Sequence, residues 1–187
     1  MTHGREEMVP LREAENEVKV VTQRLTLLHL AYARTLVDEF GWKEGKRLVL
    51  KAIKEYGKRV ADRTEHGFQS LPKYGFWERR EGKFQLCELG KMVVEYGEED
   101  IGSLYCLIDP AKTMFANPEQ KLIHTKCLTV GDGHCEFATV PTTERDREDF
   151  FADDKDWSHI DPLLDKFYRE KETTNMRDRS SLRTEDK

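Results

Sequence analysis

The side-chain types that do chemistry are concentrated between Tyr105 and Cys135. This stretch contains three of the four cysteines and a large share of the histidines, namely Cys106, Cys127, Cys135, His124 and His134. A cysteine thiol, with a free pKa of about 8.5, readily becomes a nucleophile near neutral pH. Histidine is the commonest general base. We therefore expect any catalytic site to lie in this part of the chain.

Cys106 and Asp109 form the first candidate pair. The run SLYCLID predicts a short apolar strand that the Asp109-Pro110 turn closes. A carboxylate alone would raise the pKa of a nearby thiol, so Asp109 is better suited to bind a substrate amino or amidine group, or to move a proton. The alternative is a buried cysteine followed by an aspartate that makes an Asx-turn.

Three polar residues follow as candidates. Asn117, before Pro118, could fix a carboxylate or carbonyl, or simply start a turn. His124 and Lys126 lie two apart on a predicted strand, so they share a face and could supply positive charge to a thiolate. They could equally form the polar face of a half-covered sheet.

The alternation of side chains between the two faces of a strand also argues against a metal site. His124 and Cys127 fall on opposite faces of one predicted strand, as do His134 and Cys135 on the next. A tetrahedral site built from these residues would need the strand ladder to break. We therefore expect no metal, and without a Gly-rich phosphate loop we expect no nucleotide or other cofactor.

Helices are predicted on the N-terminal side of this cluster. The spacing predicts helices over residues 14–40 and 43–63, joined at Gly41 as an αα-hairpin. Their apolar positions are Val18, Val21, Leu25, Leu28, Tyr32 and Leu36 in the first, and Leu48, Ala52, Ile53, Tyr56 and Val60 in the second. Residues 76–84 favour a small hairpin or an aromatic loop. A short helix is predicted within residues 87–102, with Met92, Val93 and Tyr96 facing inward.

Strands are predicted around the cluster itself. Residues 121–130 and 134–140 alternate in polarity and flank Gly131-Asp132-Gly133, which predicts a β-hairpin. A final helix is predicted over 157–169, with Ile160, Leu164 and Phe167 buried. Helices first and strands later indicate an α+β fold, with long N-terminal helices packed on a small antiparallel sheet. We expect one domain over 14–170 and polar tails at 1–13 and 171–187.

Composition narrows the function classes. The 187 residues carry a net charge of −5, which disfavours nucleic-acid binding because the chain lacks bulk attraction to phosphate. No apolar run approaches the ~20 residues that cross a bilayer, and the first residues lack the apolar core of a secretory signal. We therefore expect a cytoplasmic protein with free thiols, no membrane contact and a small-molecule substrate.

The segment from Ile101 to Phe137 resembles the core of the L-2-amino-thiazoline-4-carboxylic acid hydrolase family. The shared elements are an aromatic-Cys-x-x-Asp motif, an Asn-Pro, a strand ending in Gly-Asp, and a closing Cys-x-Phe. In this sequence they are Tyr105-Cys106 with Asp109, Asn117-Pro118, Gly131-Asp132, and Cys135 with Phe137.

This resemblance implies hydrolysis of a small cyclic amidine. Cys106 would attack the electrophilic ring carbon, Asp109 would hold the exocyclic amino group, and His124 would activate water. The resemblance also implies further roles: Asn117 or Lys126 would hold the substrate carboxylate, Tyr105 and Asp132 would line the substrate site, and Cys135 would be a second catalytic thiol or a packed residue. Asp132 is otherwise a hairpin-turn residue.

Two other functions stay open. The Gly-Asp-x-x-Cys-x-Phe strand is also similar to the ligand-binding domain related to the bacteriochlorophyll four-vinyl reductase, which implies a non-catalytic small-molecule sensor with the same architecture. A structural role, with two copies paired through the long helices as a homo-oligomer, is the third interpretation.

Overall fold

A computed structural model describes residues 9–62, 79–80, 83–84 and 87–171. The helices are α1 (Leu11–Asp62), α2 (Glu88–Tyr96), α3 (Glu99–Gly102), α4 (Ile108–Ala116), α5 (Glu144–Phe151) and α6 (162–171). The strands are β1 (Arg79–Arg80), β2 (Lys83–Phe84), β3 (Gln120–Lys126) and β4 (Cys135–Pro141). This arrangement confirms the predicted α+β class. The predicted tails lie largely outside the described residues, and α1 begins at Leu11.

Helix α1 is broken once, at Gly41. Gly41 has φ 76° and ψ 164°, a left-handed backbone that glycine adopts without steric cost. Just beyond it, Gly45 packs against the preceding arm so closely that an added Cβ would lie 2.5 Å from the Cα of Val37. Helix α1 therefore consists of two arms, 11–40 and 42–62, that meet at a corner where the sequence predicts the end of a helix.

The apolar stripe predicted on the first arm is mostly exposed to solvent. Val21, Leu28 and Tyr32 are 63%, 53% and 67% exposed. The arm instead buries a neighbouring face that includes Thr26 and Leu30. Apolar residues occupy more than one face of this arm, so their spacing predicts the helix correctly but does not identify which face packs against the core.

The centre of the fold is a helical turn, not a strand. Residues Ser103–Leu107 form a 3₁₀-helix that leads into α4, so the strand predicted for SLYCLID is wrong. Pro110 lies in the first turn of α4, where no backbone N–H is needed. The fully buried side chains recur at helical spacing, as Ile101, Leu104, Leu107, Ala111 and Met114. Helix α4 packs between α1 and β3.

The four strands form one antiparallel sheet in the order β1-β2-β4-β3. The β3–β4 hairpin is confirmed, with a positive φ of 106° at Gly131. Its ladder shifts register between His124 and Lys126, and residues Leu128–Val130 turn into a 3₁₀-helix rather than continuing the strand. Strands β1 and β2 form the small predicted hairpin, while Phe76, Trp77, Glu81 and Gly82 lie outside the described residues.

Helix α2 follows its prediction closely. It is capped by Cys87 and ends at Gly97, with Met92 and Val93 buried. Tyr96 was expected to face inward, but it lies in the last turn and is 57% exposed.

The C-terminal helix starts later than predicted. Residues Ser158–Ile160 form a 3₁₀-turn, and α6 begins after Asp161, with Ile160 and Leu164 buried. Phe167 is only partly buried; its neighbour Tyr168 takes the core position. Helix α5 was not predicted, although its start carries a capping box formed by Thr143 and Asp146. Among the described residues, none of the helices is long and apolar enough to cross a bilayer.

Candidate functional site

Cys106 lies at the centre of a buried polar cluster. Its sulfur is 3.9 Å from the sulfur of Cys127 and 3.8 Å from the hydroxyl oxygen of Thr129. The Thr129 hydroxyl is also 3.1 Å from the Cys127 sulfur. A ring nitrogen of His124 lies within 4.8 Å of both sulfurs. Two thiols, a hydroxyl and an imidazole thus share one small volume.

Asp161 holds His124 in place. One carboxylate oxygen of Asp161 lies 2.8 Å from Nδ1 of His124 and 2.9 Å from its backbone nitrogen. The other oxygen accepts the backbone N–H groups of Leu163 and Leu164, which cap the start of α6. A carboxylate facing Nδ1 places the ring proton there, so Nε2 is left with a lone pair. His124 is therefore oriented to accept a proton or to bind an electrophile through Nε2.

Asp109 lies on the other side of the histidine ring. Its Oδ2 is 3.7 Å from Nε2 of His124, and its Oδ1 is hydrogen-bonded to Lys112 within the first turn of α4. Cys106 and Asp109 are both neighbours of His124, which brings the predicted thiol and acid into one environment. The helical turn, rather than a strand, produces this arrangement.

Burial and contact with one another raise the pKa of the three buried thiols. The Cys127 thiol donates to the Cys106 sulfur, which by itself lowers the pKa of Cys106, but burial and the neighbouring thiols outweigh it and raise that pKa. The same hydrogen bond, with burial, raises the pKa of Cys127. Contact with Cys127, with burial, raises the pKa of Cys135 to about 12. A thiolate here needs either a base that takes its proton or a cation that replaces it.

Cys135 and Asp132 organise the hairpin next to the cluster. The Asp132 carboxylate accepts the backbone N–H of Cys127 at 2.8 Å, and the sulfur of Cys135 accepts that of Leu128 at 3.4 Å. These bonds fix the segment that carries Cys127 and Thr129. Asp132 and Cys135 were both predicted as site residues, and the two lie directly beside the cluster.

Three predicted substrate-binding residues lie outside the cluster. The Tyr105 hydroxyl donates to that of Tyr56, away from Cys106. Asn117 is exposed and accepts the backbone N–H of Glu119, as in an Asx-turn. Lys126 is 46% exposed and lies 3.6 Å from Glu136, because the register shift after His124 separates it from the histidine's face. The expected common face for His124 and Lys126 is therefore wrong.

Three residues of this cluster were not predicted as site residues, namely Cys127, Thr129 and Asp161. Cys127 was placed on the wrong face because regular strand alternation was assumed through the end of β3. Asp161 comes from the C-terminal part of the chain, 37 positions after His124. Its only local signal is the Asp-Pro pair that starts a helix, the same signal that Asp109-Pro110 gives at the start of α4.

A pocket of about 350 Å³ adjoins the cluster. Thr129 is among the residues that line this pocket, and its hydroxyl contacts both sulfurs, so this residue borders both the pocket and the thiol cluster. Asp132, Phe167 and Lys171 are also on the pocket wall. With Glu99, the pocket wall therefore carries two carboxylates, one ammonium group and an aromatic ring.

Taken together, the fold and this cluster define a helix-rich α+β protein with a buried cysteine–histidine–aspartate centre beside a small pocket. The family model for L-2-amino-thiazoline-4-carboxylic acid hydrolase matches residues 20–138, which is more than half of the chain. The chain belongs to this family. Comparisons with curated proteins and with solved structures give no match.

Proposed function

We propose that this protein hydrolyses a C–N bond in a small cyclic amidine such as 2-amino-thiazoline-4-carboxylate, with Cys106 as the nucleophile. The family's name supports the substrate class. The observation that supports the mechanism is that Asp161 binds Nδ1 of His124 while a ring nitrogen of His124 lies within 4.8 Å of the buried Cys106 sulfur. This arrangement has the thiol, base and orienting acid that nucleophilic catalysis requires.

The substrate would occupy the pocket behind Thr129. Its carboxylate would pair with Lys171, since Asn117 and Lys126 lie elsewhere, and its amidine group would pair with Asp132. A shift of the Thr129 side chain would then expose the ring carbon to the Cys106 sulfur.

The chemistry proceeds in two steps. His124 takes the Cys106 proton as the sulfur attacks the amidine carbon, and then gives it to the ring nitrogen. The ring C–N bond breaks as this nitrogen takes a second proton from the exocyclic amino group, which becomes an imine. Water, deprotonated by His124, then attacks the same carbon, its remaining proton passes to the imine nitrogen, and the released Cys106 sulfur takes its proton back from His124. The net result is addition of one water and a ring opened to a carbamoyl group. Asp109, beside Nε2 of His124, relays protons during both steps.

Product formation tests this proposal. Wild-type protein is expected to convert 2-amino-thiazoline-4-carboxylate to a carbamoyl-cysteine, and Cys106→Ala to lose this activity by at least ~10³-fold. Cys87→Ser is the matched control, because serine keeps an acceptor for the Gly90 amide that Cys87 now caps. Binding of the ring compound without turnover would instead favour the non-catalytic sensor.

A further inference from the structure

We propose that Cys106, Cys127 and His124 form a binding site for a thiophilic divalent metal ion, of which Zn²⁺ is the expected cellular occupant. The proposal rests on geometry and does not depend on the proposed hydrolysis. It also reverses our expectation that the strand ladder would keep His124 and Cys127 apart.

The spacing of the three groups fits a tetrahedral ion. Zinc–sulfur bonds of about 2.3 Å in a tetrahedron place two sulfurs about 3.8 Å apart. The sulfurs of Cys106 and Cys127 are 3.9 Å apart, and a nitrogen of His124 lies within 4.8 Å of both. A tetrahedral ion therefore needs a movement of the imidazole of about an ångström or less.

The break in β3 creates this spacing. The ladder shifts register after His124, and the chain leaves the strand at Cys127 to enter the Leu128–Val130 turn. The Asp132 carboxylate and the Cys135 sulfur then hold the backbone of this turn through two N–H groups. The two ligands that strand alternation would separate are thereby brought to one side.

The surroundings of His124 match those of a metal-bound histidine. Metal-ligating histidines usually donate their second ring N–H to a carboxylate, which fixes the tautomer and strengthens the ligand. Asp161 accepts from Nδ1 at 2.8 Å and is itself fully buried. Nε2 is the remaining nitrogen. The three proposed ligands are also buried, at 8%, 0% and 3% exposure for Cys106, Cys127 and His124.

The metal and the proposed nucleophile compete for the same sulfur. Coordination lowers the nucleophilicity of the Cys106 sulfur and occupies His124, the proposed base, so the metal-loaded protein is expected to be less active in hydrolysis. Cys135 contacts Cys127 but is not among the ligand atoms that lie within 4.8 Å of one another, so the fourth position is left to water.

Cobalt(II) titration tests the site directly. The full-length protein is purified with a reductant, stripped with a chelator and titrated with Co²⁺, whose thiolate complexes absorb strongly in the near ultraviolet and, when tetrahedral, in the visible. We expect one equivalent to bind with both signatures and Zn²⁺ to displace it. Cys106→Ser and Cys127→Ser should lose the thiolate band, whereas Cys87→Ser should keep it. Circular dichroism of each variant verifies folding.

A second variant tests the role of Asp161. Asp161→Asn should weaken Co²⁺ binding by ~10–100-fold while the band shape is retained, since the ligands themselves remain. Saturating Co²⁺ without a thiolate band in the folded wild type would overturn the proposal, as would a band that survives in both Cys106→Ser and Cys127→Ser.

The hydrolysis assay separates this proposal from the proposed function. Inhibition by Zn²⁺ that a chelator reverses supports both. Stimulation by Zn²⁺ supports the metal site and contradicts the role of His124 as the base of the proposed hydrolysis, because His124 cannot bind the metal and accept a proton at the same nitrogen. Cys106-dependent hydrolysis in a protein that gives no cobalt–thiolate band contradicts the metal site and leaves the hydrolase in place.

Discussion

Asp161 binds His124 through two hydrogen bonds to the same oxygen, one from the ring and one from the backbone. The distances to Oδ2 are 2.8 Å from Nδ1 and 2.9 Å from the backbone nitrogen. The other oxygen of Asp161 caps the start of α6, so this one buried carboxylate links the start of α6 to the middle of β3.

Replacement of Asp161 should therefore affect both stability and the site. Asp161→Ala leaves the buried N–H groups of His124 and of the α6 cap without an acceptor, and we expect the free energy of unfolding to fall by about 2–4 kcal/mol. Urea unfolding measures this loss. Asp165→Asn, which alters a pair between the partly buried Asp165 and the exposed Arg169 four residues away on the same helix, should cost less than about 1 kcal/mol. Equal losses in the two variants would contradict the role assigned to Asp161.

The buried pair of Lys121 and Asp146 predicts a specific acid sensitivity. The two charges are 2.8 Å apart. Burial opposes ionisation of Asp146, but the Lys121 ammonium and the hydrogen bonds from Thr143 outweigh it and lower the pKa of Asp146. A lowered folded-state pKa stabilises the fold fully above the unfolded value of about 4, and this contribution is lost as the pH falls through the folded value.

Asp146→Asn should consequently cost about 3 kcal/mol at pH 7 and about 1 kcal/mol less than that at pH 3. Urea unfolding at both pH values gives the comparison. Asp154→Asn, at a carboxylate that is 72% exposed, should show little difference from wild type at either pH. A loss for Asp146→Asn that is the same at pH 7 and pH 3 would contradict the linkage.

Close packing beneath the Cys106 turn predicts an effect of glycine substitution. A Cβ at Gly102 would lie 2.4 Å from a methyl carbon of Val93, so Gly102→Ala should destabilise the fold by about 1–3 kcal/mol and displace the turn that carries Cys106. At Gly133 a Cβ would meet nothing within 4 Å, which makes Gly133→Ala the matched control. Thermal melts that show the two variants equally stable would contradict the packing.

The exposed apolar stripe of α1 is the surface through which we expect two copies of the chain to pair. Val21, Leu25, Leu28 and Tyr32 follow the 4-3-4 spacing of a coiled-coil seam and are all exposed in the part of the chain that the structure describes. Light scattering should give twice the monomer mass of 21.9 kDa, and Leu28→Glu should restore the monomer. Lys58→Glu, on the second arm, should leave the dimer intact. A wild type that is monomeric at all concentrations would contradict this prediction.

Elements that depend on a few neighbouring residues were predicted correctly from the sequence. The Gly-Asp-Gly turn predicted the β3–β4 hairpin, and the glycine at 41 predicted the break in α1. The short run around Cys106 was assigned as a strand, because seven residues are too few to distinguish period two from helical spacing. Only its continuation through Ala111 and Met114 shows the helical period.

The site was less predictable because it depends on long-range contacts. Cys106 and Asp109 could be singled out from their types and spacing. The break in strand alternation between His124 and Cys127 has no signal in the sequence, and Asp161 reaches His124 from another element. Asn117 illustrates the converse: its Asn-Pro signal predicts a turn, and the structure shows a turn.

A trapped adduct tests the central claim most directly. Protein incubated with 2-amino-thiazoline-4-carboxylate and quenched in acid is digested, and the peptides are weighed by mass spectrometry. Attack by Cys106 adds the whole substrate before any atom leaves, so the Cys106 peptide should gain the full substrate mass, and less of it should form in His124→Gln because His124 takes the proton of the attacking thiol. An unmodified Cys106 peptide during active turnover, or the same mass gain on another cysteine, would contradict the account.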